Sequence, residues 1–82
     1  MTVTAETTRL DHWREPEALA NEGCAGVLEL VDAALEDAIE MLTYHGHTQA
    51  TSELRQCRGR VREERDGFLE RAAEARAASA ER

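Results

Sequence analysis

The sequence predicts an all-α fold: an antiparallel helical hairpin with a short N-terminal helix. Three observations predict it. Two long amphipathic stretches flank the uncharged segment Tyr44-His45-Gly46-His47-Thr48. A glycine, the residue that best tolerates the backbone of a helix end, sits in the middle of that segment. The charge changes across it: residues 1–50 hold two Arg (Arg9, Arg14) against ten acids, and residues 51–82 hold eight Arg against seven acids.

Residues 1–10 are Thr-rich with isolated apolar residues, and read as a flexible arm ahead of a hairpin domain spanning 11–82. A short helix is expected over about 16–22. Pro16 suits a first helical turn, where its missing N–H is no loss, and Glu17 suits the positive helix start. Asn21-Glu22-Gly23 reads as a stop or kink.

The second helix is expected over about 24–44. Leu28, Val31, Leu35, Ala38, Leu42 and His45 recur at spacings of three and four, with Val27, Ala34, Ile39 and Met41 widening the stripe. Glu29, Asp32, Glu36, Asp37 and Glu40 fill the remaining positions with no cation among them. Acids three or four apart repel by a few tenths of a kcal/mol per pair, so this helix needs cationic neighbours. The third helix is expected over about 48–80, with Thr48 as a good N-cap residue. Its seam is Ala50, Leu54, Cys57, Val61, Phe68, Ala72 and Ala75, weakened where Glu64 and Arg65 interrupt it. Gly59 and Gly67 each cost a helix roughly 1 kcal/mol relative to Ala. They read as local bends or as points of close helix approach.

Folding the chain antiparallel about Gly46 pairs positions whose numbers sum to about 92. Leu42 then meets Ala50, Leu35 meets Cys57, Val31 meets Val61 and Cys24 meets Phe68. The same register sets Asp37 by Arg55, Asp32 by Arg60 and Glu22 by Arg71, surface pairs worth at most ~1 kcal/mol each. The third helix, expected to be longer than the second, overhangs it past about Glu70.

An 82-residue chain is one domain at most and buries a small core. Its apolar residues are mostly Ala, Leu and Val, suited to a narrow helix–helix seam. Self-association into a homodimeric four-helix bundle, with coiled-coil-like packing, is the expected route to more core. The net charge of −7 points away from nucleic acid as the main partner and toward a protein with a basic surface. No stretch approaches the ~20 apolar residues of a membrane span. The N-terminus lacks the basic start and apolar core of a signal peptide. A cytoplasmic location, with Cys24 and Cys57 reduced, is therefore expected.

Chemistry-bearing patterns are thin. Cys24, Cys57, His12, His45 and His47 show no CxxC or HxxxH spacing, so no metal or cofactor is expected. Cys57 lacks a neighbouring His to act as base and reads as a small buried hydrophobe. Cys24, near an expected helix start, would be mildly activated and covered by Phe68. No enzyme is expected. Arg55, Arg58, Arg60 and Arg62 form a basic patch on a helix following a turn, loosely the layout of a recognition helix. Glu53, Glu63, Glu64 and Asp66 flank it, and no aromatics are interleaved for stacking on single strands.

The leading expectation is a small non-catalytic interaction module: an adaptor, an inhibitor or antitoxin-like factor, or an assembly subunit. It would meet its partner through the acidic helix and the uncharged tip, using Glu29, Asp32, Glu36, Asp37, Glu40, Met41, Tyr44, His45 and His47. The alternative is a nucleic-acid-binding regulator using Arg55, Arg58, Arg60 and Arg62.

Overall fold

The computed structural model describes the backbone from Thr2 to Ala80 and the side chains from Pro16 to Ala80. Two helices make up this part of the chain: α1 (Thr2–Tyr44) and α2 (Thr48–Ala80). They fold against each other as a hairpin measuring 67 × 14 × 12 Å. The long axis matches a single straight α1, since 43 residues at about 1.5 Å each span ~65 Å.

The turn is built by Gly46, which has φ +79. Its N–H donates to the Thr43 carbonyl at 3.1 Å, and the His47 N–H reaches back to the Leu42 carbonyl at 2.9 Å. This crossed pair is the Schellman closure, which satisfies carbonyls left open at a helix C-terminus. α2 begins where the sequence places it, but Thr48 is not its cap. The His47 carbonyl accepts the first helical bonds, from the Thr51 N–H at 3.0 Å and the Thr51 hydroxyl at 2.8 Å. His47 is therefore the cap, and Thr48 is the first residue inside the helix.

The seam repeats every seven residues. On α1 it comprises Ala18, Asn21, Ala25, Leu28, Asp32, Leu35, Ile39 and Leu42, all buried or half-buried. On α2 it comprises Thr51, Leu54, Arg58, Val61, Arg65, Phe68, Ala72 and Ala75, likewise covered. Alternating steps of three and four are the spacing of a coiled-coil seam. The best-covered cluster is Ala18, Ala72 and Ala75. Only alanine side chains lie between the helices in this cluster. Among the described residues no large side chain is fully buried.

Three expectations change. The break at Asn21-Glu22-Gly23 is absent, and the helices expected over 16–22 and 24–44 belong to one continuous helix. The backbone of Thr2–Leu10, expected as an arm, is helical too. Pro16 lies inside α1. Its missing N–H leaves the His12 carbonyl without its ladder partner, a local weakness rather than a boundary. Finally, the overhang is reversed. The antiparallel register sets Ala80 level with His12, so Thr2–Asp11 projects past the end of α2. Ala72 and Ala75 are covered by Ala18 of the same long helix.

Candidate functional site

The acidic candidates separate into two groups. Asp32 occupies a seam position, with its side chain only 14% exposed. Its carboxylate accepts from Arg58 Nε at 2.8 Å and from Arg62 Nε at 3.0 Å. Arg58 also reaches Glu36 at 3.2 Å. The Arg58 hydrogen bond is the main cause holding the Asp32 carboxyl below the usual carboxylate range, and the bond from Arg62 adds to it. Burial opposes both. In return Asp32 raises Arg58 above its ordinary value. Asp32 is thus an internal tie between the helices and is withdrawn from the partner surface.

The expected partner of Asp32 was Arg60. Positions 58 and 62 lie one turn apart on the same face, whereas position 60 lies about 200° around the helix from 58. Two arginines of the basic patch are therefore spent on Asp32. Arg55 and Arg60 make no ion pair among the described residues. Glu22 pairs with Arg76 rather than Arg71. Arg71 instead lies over the Phe68 ring, 4.6 Å from its centroid, a cation–π placement. Asp37 and Arg55, expected to pair, do not.

The second group forms the tip. Asp37, Glu40, Met41, Tyr44 and His45 border one shallow open depression near the end of α1. Tyr44 is 86% exposed and Met41 is exposed too. The rings of Tyr44 and His45 meet edge-on, with centroids 5.2 Å apart and planes at 88°. His47 lies across the turn, exposed, with its carbonyl committed to capping α2. Glu29 and Glu36 are exposed on the flank of α1. Of the expected partner-binding residues, all but Asp32 and the Arg58-paired Glu36 are thus exposed and without an ion pair to α2 among the described residues.

The sequence reading missed a second stripe. Val27, Ala34 and Met41, which the sequence places on the widened edge of the hairpin stripe, are all exposed. With Leu30, 73% exposed, and Tyr44 they form another seven-residue repeat on the far side of α1, interrupted by Asp37 between Leu30 and Tyr44. The signal was present in the sequence. Leu30 and Val27 fall out of phase with Leu28, Leu35 and Leu42, and one helix cannot turn both phases to one neighbour. Val31 also lies off the seam, 39% exposed, so it does not face Val61 as expected.

Cys24 is exposed, not covered by Phe68, and Cys57 is half-buried. Cys24 also lies in the middle of α1 rather than at a helix start. Among the described residues no group of three or more His, Cys, Asp or Glu could hold a metal ion. No helix among the described residues is long and apolar enough to cross a membrane. Comparison with protein-family models, curated proteins and solved structures finds no match to this chain.

Proposed function

We propose that the protein is a small non-catalytic interaction module that joins other chains through helical surfaces. The observation that carries this reading is the exposed apolar face of α1, which ends at Met41 and Tyr44 beside Asp37 and Glu40. Exposed large apolar residues in a contiguous run mark interaction surfaces. Tyr and Met are enriched in interfaces. The acids beside them suit a partner with a basic rim, which steers encounter more than it adds affinity. Homodimerisation toward a four-helix bundle belongs to the same reading, as do the roles of adaptor, inhibitor or assembly subunit.

The test is a partner-binding titration of the chain against Met41→Ala/Tyr44→Ala. Loss of roughly tenfold or more in affinity, the scale of interface anchors, supports the tip. A partner held equally well by the double variant contradicts it. Nucleic acid is the weaker reading, because Asp32 holds Arg58 and Arg62. A DNA titration at low salt is expected to show no binding. Binding that weakens steeply with salt would restore that alternative.

A further inference from the structure

We propose that the depression at the tip of α1 takes the guanidinium of an arginine on a partner protein, held by Asp37 and Glu40 and stacked on Tyr44. This rests on the reading above and deepens it by naming the group that the tip recognises.

The chain's own α2 shows what chemistry fills such a depression. Glu63, Glu64, Gly67, Phe68 and Arg71 border a shallow groove there. Arg71 lies over the Phe68 ring, with its guanidinium carbon 4.6 Å from the centroid. Carboxylates, an aromatic ring and a guanidinium resting on that ring thus come together on one helix. The acid Glu64 stands four residues before the ring, and the cation Arg71 three residues after it. The tip repeats the first two parts at the same spacing, as Glu40 and Tyr44. The third part would fall at position 47. That residue is His47, which lies past the end of α1 and so off the helical face that would hold a cation against Tyr44. The tip has the acids and the ring without the arginine.

Among the described residues no group supplies it. Between Arg14 and Arg55 the chain has no Lys or Arg. Arg55 borders a separate depression with Thr43, Gly46, Thr48 and Thr51. Asp37 and Glu40 are exposed and make no ion pair among the described residues. The last turn of α1 holds no basic residue, although the negative end of the helix dipole favours a cation there.

Shape selects arginine. Asp37, Glu40, Met41 and Tyr44 follow at steps of three, one and three, so they share one face. Met41, 63% exposed, offers apolar surface to a side-chain stem, and Tyr44, 86% exposed, offers an open ring face. A flat guanidinium can stack on that ring while its edge donates to the carboxylates. A lysine ammonium is a compact, strongly hydrated point charge and gains less from the ring. The net charge of −7 steers cationic partners toward the chain.

The test is an NMR titration of the full chain with the blocked peptide Ala-Leu-Arg-Leu-Ala. Its controls carry lysine, or citrulline, which keeps the shape of arginine without the charge. The arginine peptide is expected to shift the amides of residues 37–45 and to bind about tenfold more tightly than the citrulline peptide. Asp37→Asn/Glu40→Gln alters exposed side chains only, keeps its helicity by circular dichroism, and should abolish that difference. Equal binding of the arginine and citrulline peptides, or of the arginine and lysine peptides, overturns the proposal. So do shifts centred elsewhere, or no binding at all. A protein partner lost by Met41→Ala/Tyr44→Ala but kept by Asp37→Asn/Glu40→Gln would overturn the arginine and leave the docking tip standing. A partner kept by both variants removes the tip itself.

Discussion

At Gly46 one residue decides the topology. It is the only described residue with a positive φ, and open space surrounds the place a Cβ would occupy. The cost of Gly46→Ala is therefore backbone strain alone, about 1–2 kcal/mol for an L-residue held left-handed. Gly59→Ala should do the reverse. Gly59 is helical with nothing within 4 Å of its Cβ position, so alanine should gain about 0.5–1 kcal/mol. Urea midpoints of the two variants, moving in opposite directions, check both. Gly46 was legible in the sequence because a glycine between two amphipathic stretches has one clear use. The open space at Gly59 was not, since composition says nothing of what surrounds a residue. Asp32 supplies a pH dependence. Its pKa is lowered in the folded chain, so its contribution is complete above the ordinary carboxylate range and is lost as pH falls through the folded value. The thermal midpoint should fall on acidification below about pH 4. Asp32→Asn should lower the midpoint at neutral pH and flatten that acid limb. An unchanged limb would show that Asp32 does not tie the helices.

The two helices meet through a seam that tapers in residue size. Toward the turn it holds Leu42, Ile39, Leu35 and Leu54, and at the far end Ala18, Ala72 and Ala75. Ala72→Leu should overpack the alanine cluster at the far end, at a cost of about 1–3 kcal/mol. Denaturation of that variant measures it, and a neutral result would mean that this end is loosely packed. The bounds of α2, the hairpin and the antiparallel register were readable from periodicity and the position of Gly46. The continuity of α1 was not. Pro16 and Gly23 are local stop signals costing about 3 and 1 kcal/mol. They are overridden where Ala18 and Ala25 pack inward on either side of Gly23. A sequence shows the stop signal directly, but shows the packing only once the overhang is placed correctly. The polar seam was hidden for a related reason. Arg58 falls on the seven-residue repeat, but a charged side chain reads as surface until Asp32 is found opposite it.

For the whole molecule, the deciding quantity is the number of faces that α1 must cover. Its inner stripe meets α2, whose own outer side is mostly polar. The outer stripe of α1, with Leu19, Val27 and Leu30 all more than half exposed, meets nothing in the single chain. A hairpin with no large side chain fully buried among its described residues has little core from which to draw stability. The charge split supplies pairing inside the hairpin, through Asp32 with Arg58 and Arg62 and through Glu22 with Arg76. It leaves the acids near Met41 and Tyr44 uncompensated. The central claim is that self-association supplies the core that the single hairpin lacks. Light scattering at tens of micromolar tests it most directly. The claim predicts a mass of about 18 kDa, twice that of the 9.1 kDa chain, whereas a mass near 9.1 kDa with the helices intact would contradict it.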